Sequence, residues 1–136
     1  MKKALLTITL LLLATSAFAS DDCRADGDTK ETREIARTLC AKTDASLVLV
    51  NVKIGKTIDT LRFKIYMVFS LDVLQRIEDD ETVLQGYTNI FKAIDPSTPF
   101  TASLSAVNGQ NMVAFARFKA GGPLLLNVNN RTTIVK

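Results

Sequence analysis

No histidine occurs in the chain's 136 residues. That absence removes the commonest acid–base side chain. With it go the usual Ser-His-Asp and Cys-His nucleophile systems and the histidine-bearing catalytic zinc sites. Carboxylates alone can still hydrolyse a glycosidic bond, which needs only a pair of them. The candidates are the acids of the N-terminal arm, Ser20 to Gly27, the run Glu78-Asp79-Asp80-Glu81, and Asp44, Asp59, Asp72 and Asp95, each standing alone. None lies at the centre of an apolar pattern, where burial would raise its pKa and fit it for acid catalysis. A carboxylate-dependent hydrolase is therefore an alternative, and a chain without enzymatic activity is the expectation. The acidic run has a plainer use, since acids at the start of a helix favour the positive end of its dipole. Asp22, Asp26 and Gly27 are spaced like part of a calcium loop. The third and twelfth positions of such a loop would be Arg24 and Arg33, where oxygen ligands are needed. Gly121-Gly122 precedes Pro123 rather than a helix, so it is no phosphate cradle. Neither metal nor cofactor is expected.

Cys23 and Cys40 are the two cysteines. An even pair in an exported chain reads as a disulfide. It closes a loop of about 17 residues, worth roughly 3 kcal/mol through the entropy of the unfolded chain. The spacing is far from C-x-x-C and argues against a redox pair. Export is inferred from the first residues. Lys2-Lys3, an apolar run from Ala4 to Leu13 and Ala17-Phe18-Ala19 set out a bacterial Sec-type signal peptide. The run is too short for an ordinary membrane span. The expectation is removal of residues 1–19, a single domain over 20–136, no membrane span after processing, and a periplasmic or secreted location. The processed chain carries 15 basic and 14 acidic residues, a net charge of +1. With no long basic run, nucleic acid is not an expected partner.

What remains is binding chemistry. Arg62, Lys64 and Tyr66 share the even face of Leu61–Leu71, whose odd positions are all large and apolar. Arg and Tyr are enriched where protein partners are gripped. Phe115 and Val113, placed on the outer side of a later strand, would extend such a surface. The leading expectation is an exported, non-enzymatic protein that binds another envelope or secreted protein, as an inhibitor, an immunity-type factor or an envelope or secretion accessory. An exposed strand edge could also pair two copies into a homodimer. The alternative from a different class is a small-ligand or lipid carrier with a cavity between helix and sheet, for which Gly86 and the alanines near residues 102–116 leave room.

The elements that must position these residues follow from periodicity. Period-two alternation over Leu61–Leu71 predicts a long strand with one buried face. Ser46–Ile54 predicts its antiparallel partner, turning at Gly55-Lys56. Asp28 with Glu31 predicts a helix start, with Ile35, Ala36, Leu39 and Cys40 as its inner stripe. Asp80–Ala93 predicts a second helix, with Gly86 inside it at a cost of about 1 kcal/mol relative to alanine. The six residues Asp72–Ile77 are left open between a helical turn and an extended rim. Pro99–Val107 and Gln110–Lys119 predict a hairpin through a type I′ turn at Asn108-Gly109. Leu124–Val128 predicts a fifth strand, and Thr132–Val135 either its continuation or a sixth. The fold class is α+β: an antiparallel sheet of five or six strands with two helices packed on one face, in the order α-β-β-α-β-β-β.

Overall fold

The structure is a computed structural model that describes residues 22–54, 61–109 and 112–135. Its centre is the alternation at 61–71. Phe63, Ile65, Met67 and Phe69 are all buried. The strand ends at Phe69 rather than Leu71, because Ser70 caps a helix by accepting the Val73 N–H at 3.3 Å.

The chain is α+β, with ten elements in the described residues. Strand β1 spans Arg24–Gly27, helix α1 Lys30–Lys42, β2 Leu47–Ile54 and β3 Leu61–Phe69. Helices α2 (Leu71–Asp79) and α3 (Glu81–Lys92) follow. Strands β4 (Phe100–Ala106), β5 (Met112–Arg117), β6 (Leu124–Val128) and β7 (Arg131–Val135) complete the fold. The sheet has seven strands in the order of the chain. It is mixed: β1 runs parallel to β2 and β3 to β4, and the other neighbours are antiparallel.

The expectation of five or six antiparallel strands with two helices is thereby corrected to seven mixed strands with three helices. Each difference has a physical origin. A parallel pair needs a crossover of a dozen or more residues. Helix α1 supplies one between β1 and β2, and α2 with α3 supplies the other. Strand β1 reads Arg-Ala-Asp-Gly, short and charged, with no apolar alternation to announce it. It is held by backbone pairing to β2 and by the Cys23–Cys40 disulfide, which ties it to α1. The open choice at Asp72–Ile77 resolves as helix, burying Leu74 and Ile77. Strand β7 folds back on β6 through Asn129-Asn130, both at positive φ, as a two-residue turn that twists with its strands requires.

Helix α1 starts one residue later than Asp28. Thr29 is its N-cap, and the capping box closes with Thr32, not Glu31. The Asp28 carboxylate instead accepts the Val52 N–H at 3.1 Å, continuing the β1–β2 contact beyond the end of β1. Asp80 caps α3, accepting the Thr82 N–H at 2.9 Å, and Glu81 lies in the first turn. Half of the acidic run therefore serves the start of α3, and the other half, Glu78-Asp79, lies in the last turn of α2, where the dipole does not favour it.

The hairpin at Asn108-Gly109 is present, with Ser105 opposite Met112. Its turn is not type I′, since Gly109 has positive φ (78°) and Asn108 does not. The Gly109 N–H reaches back to the Ala106 carbonyl at 2.8 Å, so the reversal begins at Ala106. Strands β2 and β3 pair as expected, in the register Ile54 to Leu61. The turn placed at Gly55-Lys56 and the signal segment 1–19 lie outside the described residues.

All three helices lie on the same face of the sheet. Phe91 of α3 stacks on Phe115 at 4.5 Å and on Phe100 at 6.0 Å between ring centroids. Tyr87 meets Phe69 edge to face, and its hydroxyl accepts the Asp44 N–H at 3.2 Å. Ala36, Leu39 and Cys40 of α1 join the same core. Among the described residues, no helix is long and apolar enough to cross a membrane.

Candidate functional site

Lys64 and Tyr66 of β3 fall on the sheet face opposite the helices. Lys64 is exposed and Tyr66 is 40 % exposed. Arg62 is paired with Lys53 in the ladder, but its side chain lies outside the described residues. Phe115 does not join them. It is buried at 1 % exposure and stacked under Phe91. The register explains why: Phe115 is opposite Ala102, and cross-strand partners share a face. A large ring fills the space above a small residue. The outward residues of β5 are therefore Met112, Ala114 and Ala116, and the inward ones are Val113, Phe115 and Arg117.

Register assembles the open face in rows. One row runs Leu49, Tyr66, Ser103, Ala114, Asn127, Thr132. The next runs Asn51, Lys64, Thr101, Ala116, Leu125, Ile134. The middle strands β4 and β5 carry only small residues here apart from Met112. The flanking strands carry Tyr66 and Val68 on one side and Leu125 and Ile134 on the other. Ser105 shows the effect, being 5 % exposed with no described helix above it. A hollow of about 230 Å³ lies over Ala114 and Ala116, walled by Phe118 and Leu125. Phe118, which lines it, is 46 % exposed, and Met112 at 53 % and Ile134 at 62 % stand exposed elsewhere on the same face. An apolar surface of this extent on one face usually marks an interaction site.

A second concavity lies on the helical side. A cleft of about 310 Å³ separates α1 from α3. Ile35, Leu39, Phe63, Ile90 and Ile94 give it an apolar lining, and Glu34 and Lys42 are among its polar groups. Gly86 is not part of it; it is exposed, and a Cβ there would meet nothing within 4 Å.

One buried charged residue escaped the sequence reading. Arg117 is 5 % exposed on the core side of β5. Its Nη1 donates to the Ile94 and Asp95 carbonyls at 3.1 and 3.2 Å, and its Nη2 to the Lys92 carbonyl at 3.3 Å. Those are carbonyls at and beyond the C-terminal end of α3, where a helix leaves acceptors unsatisfied and a cation is favoured. The guanidinium also lies 5.4 Å over the Phe100 ring. The available signal was position: Arg117 has the parity of Val113 and Phe115.

The carboxylates are placed apart in role. The Ser97 hydroxyl and N–H, with the Thr98 hydroxyl and the Arg117 charge, hold the exposed Asp95 carboxyl below its usual range. Burial pushes the Glu78 carboxyl up, the Asp79 charge adds to the rise, and a hydrogen bond from Asn129 offsets part of it. Glu78 Oε1 is buried without a hydrogen-bond partner. Among the described residues, no three His, Cys, Asp or Glu side chains are placed to hold a metal ion. Comparison of the chain with protein-family models, with characterised proteins and with solved structures finds no match.

Proposed function

We propose that the chain is an exported, non-enzymatic binding protein that engages another envelope or secreted protein through the open face of its sheet. The observation that carries this reading is the sheet face that none of the described helices covers, with Tyr66, Met112, Phe118 and Ile134 exposed on it beside a floor of small residues. Three helices cover one face of the seven strands, and the other presents side chains that a partner would remove from water. Burying such groups favours association by about 25 cal/mol per Å² of apolar area. The buried disulfide fits an oxidising compartment. The test places a photo-crosslinking residue at Thr132, an exposed position of the same face, in both wild type and variant, and analyses the envelope fraction. The expected result is a discrete crosslinked partner that the Tyr66→Ala, Met112→Arg double variant no longer captures, with its melting temperature unchanged. Equal recovery by wild type and double variant would sink the reading.

A second reading rests on the cleft between α1 and α3. Its volume and apolar lining suit a small apolar ligand. Native mass spectrometry of protein purified without detergent distinguishes the two. A bound ligand lost on Ile90→Trp supports carriage, and an empty protein argues against it.

A further inference from the structure

The width, relief and charge of the open face say what kind of partner element it takes. Apart from Met112 at the start of β5, the small residues occupy two adjacent strands, β4 and β5, and taller ones flank them, Tyr66 and Val68 on β3 and Leu125 on β6. Those outer strands lie three strand spacings apart, about 14 Å. An α-helix with its side chains is about 10 to 12 Å across, so the trough has the bore of one helix laid along the strands. A sheet flat with large side chains on every strand would offer no such channel. Thr101, Ser103, Ala114 and Ala116 are half-buried and Ser105 is buried, although none of the described helices lies on this face. The walls therefore rise above the floor. Over Ala114 and Ala116 the floor drops into the 230 Å³ hollow, a socket for one large apolar side chain.

Charge selects among helices. At the described outward positions of strands β3 to β7 stands the exposed Lys64, and no acidic residue. We infer that the open face is a docking trough for an amphipathic helix of a partner protein, apolar stripe down, anchor side chain in the Ala114–Ala116 hollow, and carboxylates along the flank that meets Lys64. This inference rests on the binding function proposed above and adds the shape and charge of the bound element. It matches the helix-in-groove mode, in which anchors recur at i, i+3, i+4 and i+7.

The test uses two synthetic peptides of about 15 residues, the length of helix that a strand of seven residues underlies. Both carry the same leucine stripe with one tryptophan; the polar face is glutamate in one and lysine in the other. The protein has no tryptophan, so the peptide's emission reports binding alone. The expected result is saturable binding of the glutamate peptide, about tenfold tighter than the lysine peptide at low salt. Ala116→Phe, which fills the hollow, weakens it at least about fivefold. Lys64→Glu, at an exposed position, erases the preference between peptides. The inference is overturned by no saturable binding of either peptide, by preference for the lysine peptide, by unchanged binding to Ala116→Phe, or by tighter binding to anionic vesicles than to either peptide. Loss of the crosslinked partner in the Tyr66→Ala, Met112→Arg variant without glutamate-peptide binding leaves the binding function standing and removes the helix. Retention of the partner in that variant removes both.

Discussion

Arg117 joins the two halves of the core by a single side chain. Its three part-buried hydrogen bonds bring the end of α3 and the residues after it down onto β5, and those carbonyls lose this partner if it is removed. Arg117→Met should cost about 1 to 3 kcal/mol in urea denaturation, since acceptors shielded from water and left without a partner are more expensive than the bond itself is favourable. Arg117→Lys should recover less than half of that loss, because one ammonium cannot fork across three carbonyls. A milder effect for methionine than for lysine would contradict this role. Glu78 supplies the pH-dependent counterpart. Its folded pKa lies above its unfolded one, so its contribution is fully present below the unfolded pKa and is lost as pH rises through the folded value. Glu78→Gln should therefore stabilise the protein at pH 7 and change nothing near pH 3, a divergence that thermal melts across that range would display. Asp95, with its pKa lowered, has the opposite sign: its contribution is present above the unfolded pKa and is lost as pH falls through the folded one. At this scale the sequence was legible where a residue's type matched its place, as with Cys23 and Cys40. It was not legible where a charged residue is inward, because parity along a strand names the face only once the neighbour's register is known.

Among the elements, two glycines separate conformational need from accident. Gly27 ends β1 under the start of α1, where a Cβ would lie 2.5 Å from Thr32 Oγ1 and 2.8 Å from both Arg33 N and Val50 O. Gly86 stands on the outer side of α3 with open space around it. Gly86→Ala should stabilise the protein by about 1 kcal/mol, the helix-propensity difference. Gly27→Ala should destabilise it by about 1 to 3 kcal/mol through overpacking against backbone that cannot yield. Chemical denaturation of the two variants side by side checks both signs, and a loss at Gly86 would mean that α3 needs the gap. Helix α1, β2, β3, α3 and β4 to β6 were each legible because apolar period and turn chemistry agree in them. The inward face of β5 was legible too, since an Asn108-Gly109 reversal sets Ala102 against Phe115. Val113 and Phe115 were nevertheless assigned outward because two alanines on adjacent strands suggested a shared floor for a helix. Strand β1 had no such signal: four residues paired only by their backbone and held by one disulfide carry no pattern of side chains.

Among the described residues the sheet has one face covered by helices and one without such cover, and that asymmetry has a consequence for the isolated chain. A folded protein that exposes a contiguous apolar patch tends to bury it against whatever is present, including itself. Both sheet edges differ as well. Strand β1 is four residues long with Arg24 and Asp26 outward, a blunted edge. Strand β7 is exposed along Arg131 to Ile134 and contains no proline, so it offers an edge less guarded against pairing. The open face, not the edge, should dominate self-association, because it holds the larger apolar groups and the hollow. In sedimentation velocity at rising concentration, wild type should therefore show reversible growth in mean mass. Met112→Lys with Ile134→Lys should suppress that growth at least about fivefold, since two like charges on a contact shared by two copies meet as four. The melting temperature should stay within about 2 °C of wild type, because both side chains are more than half exposed and the core does not feel their loss. Replacing Thr133 by lysine, a charge that guards the β7 edge from the helical side of the sheet, should leave the association unchanged if the face drives it. Suppression by Thr133→Lys alone would transfer the contact to the edge and leave the open face free for a different protein.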